Sequence, residues 1–146
     1  MNHVRVLALD PYHKIYGMLV PILAQRLHEG LSSLGDETDY VLTNFMSMLW
    51  AKNPGVLLLA AVDAQGQVKG YTAAIRQNES KVLFIQPRLD EPIEGDPVGE
   101  MIEQVETWAK SIGATHVAMV ARRLDAKWGK KYGFSVSRYI LTKDLE

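Results

Sequence analysis

Between Leu89 and Ala109 the chain carries seven carboxylates, Asp90, Glu91, Glu94, Asp96, Glu100, Glu103 and Glu106, with no Lys or Arg among them. A carboxylate beside a bound amine can take its proton, directly or through water. Acids in the first turn of a helix also stabilise it, by about 0.3–1 kcal/mol each, so the run reads both as candidate bases and as a solvated helix start. The opposite charge gathers at Arg122, Arg123, Lys127, Lys130 and Lys131. Arg123, Lys127, Lys130 and Lys131 fall on one helical face, a pattern that suits phosphates and equally suits a face turned to water. No aromatic interleaving accompanies it, so a nucleic-acid partner is not expected. His3, His13, His28 and His116 lack metal-ligand spacing and the acids lack a calcium-loop pattern, which predicts no metal site. The absence of cysteine excludes a thiolate nucleophile, a covalent cysteine-acyl intermediate and any disulfide framework.

These groups need a scaffold, and 146 residues with 47% apolar and 23% charged side chains suit one domain spanning 1–146. The formal net charge of -1 gives the whole molecule no pull toward nucleic acid or anionic membranes. No apolar run is long enough for a signal-peptide core or a membrane span, which predicts a cytoplasmic protein. Val4–Leu9 suits a first strand, and Asp10-Pro11 predicts a helix start at that point. Pro21 is expected to kink or split that helix, because it removes a backbone donor. A second helix is expected from Asp36 to Asn53. Val56–Val62, the turn Asp63-Ala64-Gln65-Gly66 and the return Val68–Ile75 read as an antiparallel hairpin. A third strand spans Lys81–Leu89, where Pro87 marks a bulge, an edge or the point of departure from a neighbour. Val98, Met101, Ile102, Val105, Trp108, Ala109 and Ile112 form one helical stripe, capped by Asp96, opened by Pro97 and closed by Gly113. A buried strand (115–121), a short basic helix (124–132) and a last strand (134–142) complete the order.

That order is a mixed α/β arrangement with a mostly antiparallel sheet of about six strands and about four helices. Taken with Val68-Lys69-Gly70-Tyr71 in the hairpin, Glu106-Thr107-Trp108-Ala109-Lys110 at the helix end and Lys130-Lys131-Tyr132-Gly133-Phe134 near the C-terminus, it resembles the GCN5-related N-acetyltransferase (GNAT) superfamily. The resemblance is fullest over residues 55–145. Short, divergent chains with a Trp-containing segment before a terminal Gly-Phe strand also resemble phage-encoded members. The resemblance implies acetyl-CoA as co-substrate, held where the strand ending near Leu89 and the strand 115–121 splay apart. An amine on a small molecule or a protein would attack the thioester directly, with no covalent enzyme intermediate. It further implies that the Leu89 backbone amide faces the thioester carbonyl, that Gly95, Val98 and Gly99 serve the pyrophosphate, and that Asp90 or Glu91 acts as base, with His116 a further option.

The chain departs from the family pattern at two places. In Glu94-Gly95-Asp96-Pro97-Val98-Gly99 only the last Gly matches the phosphate loop, and Glu94 stands where a cation or amide is expected. Pro97 offers no backbone donor, and Asp96 as cap would accept from Val98 or Gly99 in competition with a phosphate. Gly129 occupies the place of the family's thiolate-protonating tyrosine, leaving Tyr132 as a candidate acid or as a core residue. The rival expectation is therefore a catalytically silent GNAT-like scaffold, a binding or structural part of a virion or other assembly. Either version leaves a homo-oligomer or larger assembly open.

Overall fold

The computed structural model describes residues 3–10, 12–31, 47, 55–120, 129–135, 143 and 145. Their elements run β1 (Val4–Ala8), α1 (Lys14–Leu31), β2 (Val56–Asp63), β3 (Val68–Arg76), β4 (Lys81–Ile85), β5 (Arg88–Leu89), α2 (Pro97–Ser111) and β6 (His116–Val120). They form a six-stranded sheet in the order β1-β2-β3-β4-β6, with β5 joined to β3. Every pairing is antiparallel except β4 with β6. The expected helix 36–53 apart from Ser47, most of the basic helix and nearly all of the last strand lie outside the described residues.

Both faces of the sheet are covered, which explains the unbroken apolar run of β2. Leu58, Ala60 and Val62 join Tyr71, Ala73 and Ile75 beneath α1, which presents Tyr16, Leu19, Val20 and Leu23. Their i, i+3, i+4, i+7 spacing places them on one helical stripe. On the opposite face Leu59, Ala61, Ala74, Val82 and Phe84 pack against Met101, Ile102, Val105 and Ala109 of α2. The hairpin turn is held by Asp63, whose Oδ1 accepts from the N–H groups of Gln65 and Gln67, both at 2.9 Å.

One expectation for α1 needs correction and a second is narrowed. The cap is His13 rather than Asp10: Asp10 Oδ1 accepts from Tyr12 N–H at 2.8 Å in the preceding turn, while His13 Nδ1 accepts from Ile15 N–H at 3.1 Å. The helix therefore starts later than Asp10-Pro11 suggests. Of the two outcomes expected at Pro21, a split is excluded, since α1 is continuous from Lys14 to Leu31. Both Pro21 and Gly17, whose carbonyl loses its donor, face solvent, where water can replace the missing bond.

The α2 signals are met at both ends. Asp96 is the N-cap and Pro97 the first helical residue. At the C-terminus Gly113 takes φ +85°. Its N–H donates to Lys110 O at 3.0 Å and that of Ala114 to Ala109 O at 2.9 Å, a Schellman closure. Arg76 reaches across from β3 and donates to Ile112 O at 2.7 Å, adding a cation where the helix dipole is negative.

Candidate active site

The expected third strand is broken in two at Pro87. Ala74 stands opposite Phe84, and Tyr71 opposite Arg88, so Thr72 and Ala73 face the three residues Ile85, Gln86 and Pro87. One extra residue on one strand of a pair is a β-bulge. Thr72, fully buried, donates from Oγ1 to Ile85 O at 2.6 Å and occupies a carbonyl that the bulge takes out of the ladder.

Beyond the bulge the chain exchanges neighbours. The parallel register runs from Lys81 opposite His116 to Ile85 opposite Val120, whereas β5 pairs with β3. Asp90 N–H donates to Lys69 O at 2.8 Å. That bond makes Gly70 and Leu89 a non-hydrogen-bonded pair of the antiparallel ladder, with the Leu89 N–H and C=O turned away from β3. They point to the side on which β6 flanks β4. Gly70 permits the close approach: a Cβ there would meet Arg88 O and Leu89 Cδ2, each at 2.6 Å.

Around β5 the candidate residues separate into two groups. Asp90 is exposed, while Glu91 is half-buried with Oε1 3.7 Å from Lys69 Nζ. Gly95 is exposed with φ +86°. Leu89, Val98 and Tyr132 instead pack on the α2 side of the core. His116 is exposed, and its Nδ1 lies 2.9 Å from Thr115 Oγ1.

Asp96 and Tyr132 meet at the N-terminus of α2. Asp96 Oδ1 accepts from Gly99 N–H at 3.2 Å and from Tyr132 OH at 3.0 Å, and Oδ2 lies 3.4 Å from Lys131 Nζ. A Cβ on Gly99 would collide with Asp96 Oδ2 and come within 2.9 Å of its Cγ. The bare α-carbon of Gly99 thus makes room for an internal carboxylate. Burial works to raise the Asp96 pKa, but the bonds from Gly99, Tyr132 and Lys131 outweigh it and hold the carboxyl below its ordinary value. Burial, then the bond to Asp96 and its charge, raise the Tyr132 phenol. Its proton is committed to Asp96, which makes Tyr132 a poor donor to any other atom.

The sequence reading missed two members of this arrangement. Thr72 carries no motif and becomes visible only through the bulge it closes. Lys131 stands in the basic cluster, but its acidic partner lies 35 positions upstream, a separation that helical spacing does not reveal. Among the described residues no three His, Asp or Glu side chains are grouped to hold a metal ion, and no helix is long and apolar enough to cross a membrane.

No protein-family model and no curated protein sequence matches the chain. Solved structures do. A candidate acetyltransferase of Bacillus subtilis superposes with a TM-score of 0.68 at 12% identity, covering 97% of this chain and 99% of the other. A predicted acetyltransferase of Clostridium acetobutylicum, solved with acetyl-CoA, gives 0.65 at 19% identity over 97% and 96%. An aminoglycoside 6′-acetyltransferase type Ii gives 0.60 at 17% identity over 92% and 84%. At such identities the likeness speaks for architecture alone, and in architecture this chain is a GNAT-like α/β protein.

Proposed function

We propose that the chain is an acyl-CoA-dependent N-acetyltransferase that passes an acetyl group directly to an amine on a small molecule or protein. The observation that carries this reading is the Leu89 amide: past the bulge β5 pairs with β3, and the Leu89 N–H turns away from β3 to the side on which β6 flanks β4. An outward amide is a fixed donor for a thioester carbonyl, whose oxygen gains negative charge as the amine adds. The pantetheine arm of acetyl-CoA would lie along β5 as an added strand. A lysine-type amine has a pKa of about 10.4 and must lose a proton to attack near neutral pH; Asp90, exposed beside Leu89, and Glu91 next to it are the bases at hand. The amine bonds to the carbonyl carbon, the carbon–sulfur bond breaks, and the thiolate leaves with a proton from solvent.

The absence of cysteine makes the test clean, because a thiol reagent then reports only released coenzyme A. Amine-dependent thiol release across a panel of primary amines is the expected result. Acetyl-CoA at 100 times its Kd should also add about 2.7 kcal/mol of stability, a rise in Tm of about 5–10 °C for a chain of this size. Neither release nor a shift at millimolar acetyl-CoA would favour the second reading, a silent scaffold within a virion or other assembly. The observation on that side is the Asp96 carboxylate already seated on Gly99 N–H.

A further inference from the structure

The first turn of α2 has few donors left to offer. Pro97 has no N–H, and that of Gly99 is bonded to Asp96 Oδ1. Of the four positions whose amides ordinarily await a partner at a helix N-terminus, Asp96 to Gly99, Asp96 and Val98 alone keep an N–H outside these constraints. The Tyr132 hydroxyl and the Lys131 ammonium, two side chains suited to a phosphate, are engaged by the same carboxylate. Asp96 is therefore both an anion in the helix mouth and the consumer of the groups around it. Glu94, its neighbour across Gly95, brings a second negative charge and is bonded to His3 Nε2 at 3.0 Å.

We propose that Asp96 is a specificity-determining residue: its carboxylate fills the place a diphosphate would take, so donors are recognised through the pantetheine arm alone. This inference rests on the transferase reading, since it concerns which part of a thioester donor the chain grips. It assigns the donor class as a pantetheine thioester whose nucleotide half contributes nothing to affinity. Exchange of Asp96 for Ser keeps a cap oxygen for Gly99 N–H while releasing Tyr132 and Lys131 for phosphate.

The test uses wild type and Asp96→Ser, with Asp96→Asn as the second variant should the first fail to fold. Calorimetry measures S-acetylpantetheine and acetyl-CoA, and phosphorus NMR follows inorganic pyrophosphate. Wild type should bind the two thioesters within about threefold of each other and ignore pyrophosphate. The variant should bind acetyl-CoA about tenfold more tightly, leave S-acetylpantetheine unchanged and begin to bind pyrophosphate. Wild type preferring acetyl-CoA by about tenfold, or a variant that gains neither acetyl-CoA nor pyrophosphate affinity, overturns the assignment. Pyrophosphate binding to the variant with no thioester bound by either protein upholds Asp96 as the block and sinks the transferase reading. S-acetylpantetheine bound by both proteins with no gain in the variant does the reverse.

Discussion

Replacing Gly99 by Ala should destabilise the protein, although the same exchange in an ordinary helix gains about 1 kcal/mol of propensity. The reason is the Asp96 carboxylate, which occupies the space of the new Cβ. Moving it forfeits the N-cap bond, worth about 1 kcal/mol, and the Tyr132 bond to a charged acceptor, worth about 1.5 kcal/mol. The Lys131 pair adds little, because both side chains are about half exposed and screened by water. After the propensity gain the net loss is about 1.5 kcal/mol. In an Asp96→Ala background the obstacle is gone, and the sign should reverse. Tyr132 Cε1, 3.3 Å from the added carbon, must then yield by a few tenths of an ångström. Removal of its acceptor takes away one of the contacts that fix that ring. Urea denaturation of the four proteins in the cycle measures both effects through the midpoint at constant m. Gly99→Ala stabilising the wild-type chain would refute the placement of the carboxylate.

The same cluster gives a pH signature. The lowered Asp96 pKa contributes stability that is present above the ordinary value of 3.8 and lost as pH falls through the folded value. The raised Tyr132 and Lys131 values, from 10.0 and 10.5, contribute stability present below those figures and lost as pH rises through the folded ones. The stability difference between wild type and Asp96→Ser should therefore be flat across neutral pH and shrink at both extremes; a difference that grows below pH 3.8 would contradict it. Gly70→Ala should cost about 1–3 kcal/mol by driving a Cβ into Arg88 O and Leu89, visible as faster amide exchange at Asp90. Unchanged stability would show that β5 does not press on β3 as described. Thr72→Val should cost about 1–3 kcal/mol by leaving Ile85 O without its donor inside the bulge, and a denaturation midpoint equal to wild type would contradict that.

What the sequence reveals and what it hides follow from distance along the chain. The α2 boundaries rest on Asp96, Pro97 and Gly113, each acting within a few residues, and they are legible. The hairpin is legible for the same reason, through Asp63 and Gly66. Pro87 is legible as a disruption because its missing N–H is a local fact, and the structure turns that disruption into a bulge with β5 joined to β3. His13 as the α1 cap is harder to foresee, since Asp10 is the better capping residue by type and only the preceding turn shows it engaged elsewhere. Pro21 is legible as a missing donor, but whether it splits the helix depends on which side faces water. The Asp96–Tyr132–Lys131 cluster joins segments 35 and 36 residues apart, and no periodicity records such a meeting. Competition between Asp96 and a phosphate can be anticipated from its capping role; the hydroxyl and ammonium that hold the carboxylate in place cannot.

The most direct test is amide-detected NMR of the labelled protein titrated with S-acetylpantetheine, a donor without the diphosphate that Asp96 opposes. A thioester arm lying along β5 should shift the Leu89 and Asp90 amides and those of Met119 and Val120 on β6 saturably, with contacts between the arm and Leu89. Unmoved Leu89 and Val120 amides at saturating donor, or shifts confined to the α1 face, would contradict the account.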